Sequence, residues 1–496
     1  MRLKVIILPI LFSLLFGLVS CGKTNSISIS PDTYVSPDWE IQWDDSQLEL
    51  RKDTKELDFY NLNDTHGAIE KTSDEPGIAK LATYLNEKKA ANPNSFVLTS
   101  SGDMWQGSAD SNITRGALMT EWMNYMNFSA MALGNHEFDW TIDAITANQE
   151  IANYPFLACN IIDTSTNEPV SWADPYTTIT KNGIRIGIIG AIGEGITNAI
   201  LASNVRGLNF ANPDSYVEKW STYLKENGAD VILYLYHGST EDMSAYVGAY
   251  CDAAFGGHNH RTERRTIGSR GVPAVEGGSN GKYVSHINLK YDFAKKKITW
   301  GSYGYDNTDL LKKGDDAGTL EVKAKYADQI NIVKNEKVAR IPRSLDSYYD
   351  VPHYYNKYAY RYYMDKENNP QQVYAVVTNN GRADILSGIV TYGDIYKSLP
   401  FDNYLVLFHT TGRNVKRITS YSSSHWYVPS VSETRISYDN AAQYFQDNAT
   451  YYILTINYIS ENEYYSSWLK PDHEYMEEEA LPRNIFKHYL STDYPL

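Results

Sequence analysis

Cysteine is scarce in this sequence, with three among 496 residues. Cys21 ends the apolar N-terminal stretch, so only Cys159 and Cys251 remain in the body of the chain. At most one disulfide is then available, which excludes a fold built on a disulfide framework. The sequence leaves open whether these two cysteines pair.

Positive charge is also in short supply. There are 45 Lys and Arg residues against 60 Asp and Glu, and the formal net charge is -15. Proteins that bind nucleic-acid backbones carry a basic face, so we expect no nucleic-acid polymer as a partner. A small phosphate ester stays possible, because a bound metal ion supplies local positive charge. No obligate protein partner is evident from the sequence.

The main long apolar run is "MRLKVIILPILFSLLFGLVS", residues 1–20. It is short for a membrane span of ~20 apolar residues and begins with Arg2 and Lys4, which predicts a secretion signal. The stretch "LVSCG" resembles the bacterial lipobox, which implies cleavage of the signal and a lipid on Cys21. Residues 21–54 are rich in Ser, Pro and Asp, which predicts a flexible tether. We therefore expect an exported protein, lipid-anchored on the outer side of a bacterial membrane, at the cell surface or in the periplasm.

The rest of the chain has the pattern of two α/β domains. Residues 55–310 contain the short apolar runs "ELDFYNL", "SFVLTS", "MNFSAMAL", "IRIGIIGA", "DVILYLYH" and "DAAFGG". Such runs, alternating with helical stretches, predict the buried strands of an α/β sandwich. Residues 311–340 have helical spacing and are the predicted linker to a tyrosine-rich second domain, residues 341–496. In that domain, Tyr354, Tyr358 and Tyr362 recur at helical intervals, and we expect them to face the core.

Five polar clusters follow the predicted strands. They are Asp64-Thr65-His66, Gly102-Asp103, Gly134-Asn135-His136-Glu137, His237-Gly238 and Gly257-His258-Asn259-His260. Loops at the C-terminal ends of strands meet on one side of a sheet, so these side chains are expected to converge. Imidazole, carboxylate and amide groups together suit divalent ions such as Zn, Mn, Co or Fe. The clusters contain no cysteine, which excludes a thiolate zinc site.

The order of these clusters resembles the calcineurin-like metallophosphoesterase superfamily. The longer motifs "YNLNDTHGAIE", "GDMWQGS", "GNHEFD" and "GGHNHR" are similar to those of its 5′-nucleotidase family. The resemblance implies an N-terminal four-layer α/β/β/α sandwich with a two-metal centre. It also implies a smaller α/β C-terminal domain that binds the substrate.

The same resemblance implies which residues do the chemistry. The expected ligands are Asp64, His66 and His260 for one ion, Asn135, His237 and His258 for the other, and Asp103 as the bridge between both. His136 is expected to act as the general acid, and Asp139 to orient it. Two divalent ions, of Zn, Mn, Co or Fe, would bind the substrate phosphate and stabilise the charge that develops in an in-line displacement.

Residues 378–416, "TNNGRADILSGIVTYGDIYKSLPFDNYLVLFHTTGRNVK", resemble the family's substrate-binding stretch. The resemblance implies contacts to a nucleoside from Asn379, Asn380 and Arg382, and a stacking contact from Phe401. A second stacking residue, Tyr458, is implied by "ILTINYISENEYYSSW". Aromatic stacking tolerates any base, because every base has a π-face.

The function expected from this resemblance is hydrolysis of extracytoplasmic 5′-nucleotides to nucleoside and phosphate. Two enzyme alternatives use the same metals: a 2′,3′-cyclic-nucleotide phosphodiesterase with 3′-nucleotidase activity, and a UDP-sugar hydrolase. A surface lipoprotein that binds a ligand on the same fold without catalysis is the non-enzyme alternative. The presence of all seven expected ligand positions and His136 favours an enzyme.

Overall fold

The computed structural model describes residues 41–367, 370–419, 424–431, 436–460 and 470–496. The predicted signal peptide, the predicted lipidation site Cys21 and the first part of the predicted tether lie outside these residues. Within the described ranges, no helix is long and apolar enough to cross a membrane.

Two six-stranded sheets form the centre of the N-terminal part. Its strands are, in chain order, β1 (Thr54–Leu62), β2 (Phe96–Ser100), β3 (Ala130–Ala132), β4 (Phe156–Leu157), β5 (Ile161–Asp163), β6 (Glu168–Pro169), β7 (Tyr176–Lys181), β8 (Ile184–Ile192), β9 (Leu208–Phe210), β10 (Val231–His237), β11 (Ala253–Phe255), β12 (Thr262–Ile267), β13 (Val272–Gly277), β14 (Val284–Asp292) and β15 (Lys297–Asp306). The first sheet has the order β15-β14-β1-β2-β3-β4 and the second β12-β13-β11-β10-β8-β7, while β6-β5-β9 form a small third sheet. Strands β1 to β4 are parallel, as are β8, β10, β11 and β13, so their C-terminal ends lie at one edge of each sheet.

The helices of this part are α1 (Gly77–Ala91), α2 (Ala109–Ile113), α3 (Ala117–Met126), α4 (Thr141–Ile151) and α5 (Asp214–Glu226). The inner faces of the two large sheets pack against each other through fully buried side chains such as Phe59, Ile188 and Leu235. Helices α1, α3 and α4 cover the outer face of the first sheet, and α5 covers that of the second. This packing is the predicted four-layer α/β/β/α sandwich, and it buries the apolar strand runs on both faces.

The C-terminal part is a smaller α/β unit. After helix α6 (Ala317–Lys334), its elements are β16 (Lys337–Ile341), α7 (Asp350–Lys366), β17 (Val373–Thr378), β18 (Gly388–Thr391), α8 (Tyr392–Ser398), β19 (Leu405–Thr411), α9 (Gly412–Thr419), β20 (His425–Tyr427), β21 (Ile436–Ser437), α10 (Tyr438–Ala441), β22 (Thr450–Ile456), α11 (Asn457–Ser460), β23 (Pro471–Tyr475) and α12 (Pro482–Asp493). The main sheet has the order β21-β20-β17-β22-β19-β23, and β16 pairs with β18 separately. All described residues belong to one compact unit, so the two parts pack together.

The tyrosine stripe of helix α7 divides between core and rim. Tyr358 is fully buried, as predicted. Tyr354 and Tyr362 are only partly buried against the same core, and their hydroxyl groups contact Tyr494 at 3.1 Å and Glu477 at 2.8 Å. A tyrosine at the rim of a core can bury its ring and still satisfy its hydroxyl, which explains the division.

Residues 41–51 belong to the predicted flexible tether, but in the structure they pack beside the N-terminal ends of β8 and β10. Arg51 makes a two-pronged ion pair with Asp230, at 2.7 and 3.2 Å, beside the start of β10. The indole nitrogen of Trp43 donates to the carbonyl of Asn227 at 2.9 Å. These contacts come from distant residues, so local composition could not predict them.

The two cysteines of the body are free thiols. Cys159 and Cys251 are both buried in the core between helix α5 and the second sheet, and they form no disulfide. Burial raises the pKa of both thiols, which keeps them protonated.

The two sheets approach each other closely at Gly190 of β8. A Cβ atom at this position would lie 2.3 Å from Cβ of Leu157, on strand β4 of the facing sheet. We expect Gly190→Ala to lower the free energy of unfolding by about 1–3 kcal/mol, because the packed core has no room for the methyl group. Urea denaturation checks this. Gly195→Ala is the matched control, since no atom lies within 4 Å of its added Cβ; equal midpoints for the two variants would contradict the assignment.

Candidate metal centre

The predicted metal ligands follow the C-terminal ends of parallel strands in both large sheets. Asp64 and His66 follow β1, Asp103 follows β2, and Asn135 follows β3 in the first sheet. His237 is the last residue of β10, and His258 and His260 follow β11 in the second sheet. Because the sheets face each other, these loops meet at one end of the sandwich.

The backbone of these loops is held in unusual conformations. The φ angles are 48° at Asp64, 50° at His66, 55° at Asp103, 77° at His258 and 58° at His260. Residues other than glycine adopt this left-handed region rarely and at a cost of about 1–3 kcal/mol each. Strain of this kind persists where the surrounding structure enforces it, and it clusters at functional sites.

One group of donors contains Asp64, His66 and His260, whose ligand atoms all lie within 4.8 Å of one another. The Nε2 atoms of His66 and His260 are 2.8 Å apart, and Oδ1 of Asp64 lies 3.9 and 3.6 Å from them. Two imidazole nitrogens that face the same point have the geometry of ligands to one ion.

A second group contains Asp103, His237 and His258, again within 4.8 Å. Oδ1 of Asn135 lies 3.0 Å from Nε2 of His237 and 2.9 Å from Nδ1 of His258, so this amide faces the same point. Asp103 also belongs to a third group with His66 and His136, which places its carboxylate between the two ligand sets. The seven predicted ligands are therefore brought together, with Asp103 central.

The donor set fits a divalent metal. Asp64 and Asp103 are 0% and 1% exposed, so their carboxylates are cut off from water. Burial raises the pKa of Asp64. Burial lowers the pKa of His66 to about 3, although the charge of Asp103 acts to raise it, and this leaves a neutral imidazole. A buried carboxylate beside the neutral imidazole of His66 forms a donor pair whose charge a cation would balance.

His136 and Asp139 form a pair at the edge of this centre. Nδ1 of His136 lies 2.8 Å from Oδ2 of Asp139, and the backbone N–H of His136 donates to Oδ1 of Asp103 at 2.8 Å. Burial alone would lower the pKa of His136, but the carboxylates of Asp139 and Asp103 outweigh it and raise the pKa to about 9. The Asp139 carboxylate thus holds the Nδ1 side of the ring and leaves Nε2 directed away from Asp139.

Glu137 is a structural residue of the site to which the sequence analysis assigned no role. Its buried carboxylate accepts three backbone N–H groups, from Asp103 at 2.8 Å, Met104 at 2.8 Å and Gly134 at 2.7 Å. It therefore ties the loop after β2 to the loop after β3. The glutamate of "GNHEFD" was visible in the sequence, but two of its three partners, Asp103 and Met104, lie more than thirty positions away, and only the fold reveals them.

Other contacts orient the ligands from behind. Nδ2 of Asn63 donates to Oδ2 of Asp64 at 2.7 Å, and the rings of His66 and His237 contact the carbonyls of Gln106 and Ser101 at 2.9 and 2.8 Å. Such contacts set the ring orientation and tautomer of a metal-binding histidine.

A cavity of about 590 Å³ lies over the metal centre, between the two parts of the chain. It is lined from the N-terminal side by Asp103, Asn135, His136, Asp139, His258 and His260. From the C-terminal side it is lined by all five predicted substrate residues, Asn379, Asn380, Arg382, Phe401 and Tyr458. The structure thus brings together residues of the two domains that the sequence separates by more than 100 positions.

Aromatic and cationic groups meet at the C-terminal wall of this cavity. The Phe401 ring stacks at 6.0 Å from the His136 ring, and the Arg382 guanidinium lies 4.9 Å from the centre of the Phe401 ring. Oδ1 of Asn379 is buried and has no hydrogen-bond partner among the described residues. Oδ1 of Asn380 contacts Nε2 of His425.

Two family models match the chain in the places where these features lie. The model described as calcineurin-like phosphoesterase matches residues 57–262, and the one described as 5′-nucleotidase, C-terminal domain, matches residues 358–470. The chain joins a calcineurin-like phosphoesterase domain to a 5′-nucleotidase C-terminal domain. The resemblance inferred from the motifs is confirmed, and with it the expectation of a metal-dependent hydrolase.

Individual relatives cover the same region. The chain is 26% identical over 416 residues to a 5′-nucleotidase of Vibrio vulnificus, a match that spans 73% of this chain and 74% of that protein. It is 24% identical over 424 residues to the endonuclease YhcR of Bacillus subtilis, spanning 77% of this chain and only 34% of that longer protein. The crystal structure of a 5′-nucleotidase precursor from Thermus thermophilus superimposes with a TM-score of 0.71 at 18% identity, covering 89% of this chain and 97% of the other. At that identity, the superposition establishes only that the two proteins share the fold of both domains.

Metal binding to this centre should be measurable as thermal stabilisation. We expect Zn²⁺ or Mn²⁺ to raise the Tm of chelator-stripped protein, because an ion at about 100 times its Kd stabilises the folded state by about 2.7 kcal/mol. Asp103→Asn should lose most of this shift, since Asp103 contacts both ligand sets.

The control for this experiment is His286→Gln. His286 is a half-buried histidine on β14, away from the ligand groups, and its variant should keep the full shift. Equal Tm shifts in the Asp103 and His286 variants would contradict the assignment of the centre.

Proposed function

We propose that this protein is a two-metal 5′-nucleotidase that releases nucleoside and phosphate from nucleotides outside the cytoplasm. The observation that carries the proposal is the single cavity of about 590 Å³ shared by the metal centre and the five C-terminal residues. A volume of this order suits a small ligand, and its walls offer phosphate chemistry on one side and ring recognition on the other.

The phosphate end is proposed to hold two ions from the set Zn, Mn, Co and Fe. Asp64, His66 and His260 would bind one ion, Asn135, His237 and His258 the other, and Asp103 both. When bound, such ions supply positive charge for the phosphate and for the charge that develops during in-line displacement. The mixed nitrogen and oxygen donors support this range of metals.

His136 is proposed to donate the proton to the leaving ester oxygen. With Nδ1 held by Asp139 at 2.8 Å, its Nε2 atom is the one free to serve the substrate. The raised pKa of His136 favours the protonated ring, which both donates a proton and attracts phosphate oxygens. Asp139 acts through this histidine as a positioning residue.

The nucleoside end is proposed to use stacking and two polar contacts. Phe401 and Tyr458 would hold the base, while Arg382, seated over the Phe401 ring, reaches the ribose or phosphate side. The buried Oδ1 atom of Asn379, unpaired among the described residues, is placed to accept an N–H group from the ligand. The names of the Vibrio and Thermus relatives agree with this substrate class.

A substrate panel tests the proposal directly. Phosphate release from AMP, UDP-glucose and 2′,3′-cyclic AMP is measured on stripped protein supplied with Mn²⁺, Co²⁺ or Zn²⁺. We expect AMP to be the best substrate; preference for the cyclic ester or the nucleotide sugar would identify one of the enzyme alternatives. No turnover with any of the metals would favour the ligand-binding lipoprotein.

Two variants separate catalysis from folding. His136→Ala should lower kcat for AMP by about 10²- to 10⁴-fold, the range expected for a general acid. Asp139→Asn should lower kcat while leaving metal content unchanged, because it disturbs only the orientation of His136. Near wild-type kcat in His136→Ala, with its fold intact by circular dichroism, would refute the role of this histidine.

The N-terminus is proposed to place the enzyme at the cell envelope. Signal residues 1–20 would be removed and Cys21 lipidated, which would attach the chain to the membrane ahead of the first domain. The proposed domains are residues 55–310 and 341–496, joined by residues 311–340.

Lipidation has a clear readout in fractionated cells. We expect wild-type protein in the membrane fraction, labelled by an alkyne fatty acid, because acyl chains bury their methylene groups in the bilayer. Cys21→Ser should be unlabelled and leave that fraction, whereas Cys251→Ser, which alters a buried thiol, should stay labelled. A labelled Cys21→Ser protein would contradict the proposal.

A further inference from the structure

Helix α2, residues Ala109–Ile113, belongs to both domains. It follows the loop that carries Asp103, yet Ala109 packs in the hydrophobic core of the C-terminal domain. The carboxylate of Asp110 pairs with Nζ of Lys334 at 2.8 and 3.0 Å. Helix α2 therefore connects the loop that carries Asp103 to the C-terminal domain.

Asn112 is the residue of this helix that joins the two domains by hydrogen bonds from a single side chain. Its amide is 3% exposed. Oδ1 accepts the backbone N–H of Gly107 at 2.9 Å, and Nδ2 donates to the carbonyl of Pro400 at 3.0 Å. A planar amide offers an acceptor and a donor at a fixed spacing, so the two backbones are held at a fixed separation.

One end of this bridge holds the loop around a metal ligand. The carbonyl of Gln106 contacts Nδ1 of His66 at 2.9 Å, and the N–H of Ser108 donates to the carbonyl of His66 at 3.1 Å. Gly107, which Asn112 binds, lies between these two contacts and leaves only 2.4 Å from its ideal Cβ position to the His66 carbonyl oxygen. Displacing Gly107 would therefore displace His66.

The other end holds the aromatic wall of the cavity. Pro400 directly precedes Phe401, whose ring lies 6.0 Å from that of His136. The carbonyl of Phe401 is held in turn by Nη1 of Arg483 at 3.2 Å. The Asn112 amide thus connects the loop of the phosphate end to the loop of the ring-binding end, although it does not line the cavity itself.

We propose that Asn112 is a positioning residue that sets the distance between the ring-binding wall and the metal centre. It selects substrates in which a phosphoryl group and an aromatic ring are separated by a sugar, over esters that occupy the metal centre alone. The kinetic test of this inference rests on the proposed function, because it requires a nucleotide substrate. The structural test depends only on the two hydrogen bonds of Asn112.

The kinetic test compares AMP with p-nitrophenyl phosphate. Asn112→Leu keeps the branched shape of the side chain and removes both hydrogen bonds, and Asn112→Ala removes them without any risk of overpacking. We expect the ratio of kcat/KM for AMP to that for p-nitrophenyl phosphate to fall about tenfold, mostly through KM for AMP, which corresponds to about 1.4 kcal/mol. A merely structural role would lower both substrates equally and leave the ratio unchanged.

Gln329→Ala is the matched control. Gln329 of α6 also contacts helix α2, through a 3.3 Å hydrogen bond to the carbonyl of Ile113, but it touches neither loop of the cavity. Its variant should keep the wild-type ratio. An unchanged ratio in both Asn112 variants, or an equal fall in the Gln329 variant, would overturn the proposal.

A structural readout keeps the inference separate from the nucleotide assignment. Spin labels are placed at Asp143→Cys on α4 and Glu479→Cys near α12, both exposed positions, in a Cys21→Ser background. The distance distribution between the labels should broaden or shift in Asn112→Leu and not in Gln329→Ala. If wild-type protein cleaves p-nitrophenyl phosphate but not AMP, the proposed function fails, and an unchanged label distance in Asn112→Leu then overturns the inference on its own.

Discussion

The burial of two carboxylates at the strand ends is the constraint on which this site depends. Asp64 and Asp103 are almost fully buried, and their negative charges repel each other. Burial and the charge of Asp103 each raise the pKa of Asp64. The effective penalty for burying such an ion is several kcal/mol unless an opposite charge compensates it. Compensation of these charges requires the histidines, and any bound cation, to lie beside the two carboxylates. The five loops that carry these side chains therefore meet at one point.

Holding five loops at one point requires very close backbone approach. A Cβ atom at Gly134 would lie 2.2 Å from Oδ1 of Asp103, and one at Gly102, where φ is 90°, would lie 2.6 Å from the N atom of Gly134. Glycine is the residue that permits both contacts. Glu137 then holds the same two loops together with three buried hydrogen bonds from backbone N–H groups. The two glycines thus allow the loops after β2 and β3 to approach each other, and Glu137 joins these loops by hydrogen bonds.

The sequence predicted the residues whose chemistry is visible in their type. Asp64, His237 and His258 follow apolar runs, and strand ends converge in any α/β sheet, so their meeting could be expected. The roles of Glu137 and Asn112 could not be predicted. Acid and amide side chains are common on protein surfaces, and the backbone partners of these two residues are known only from the fold. The same holds for residues 41–51, whose polar composition indicated a tether. Their packing depends on Asp230, which is nearly 180 positions away in sequence.

The two domains divide the chemistry in a way that explains which predictions were easy. Metal ligands belong to one domain and can be recognised one by one, since each must be a nitrogen or oxygen donor of a particular kind. The proposed recognition of a ring depends on a distance between the two domains, and no single residue type indicates such a distance. Phe401 contributes the aromatic face, but its separation from His136 depends on how Pro400 is held from across the interface. On the proposed assignment, substrate selection therefore depends on the contacts that join the domains as well as on the residues that line the cavity.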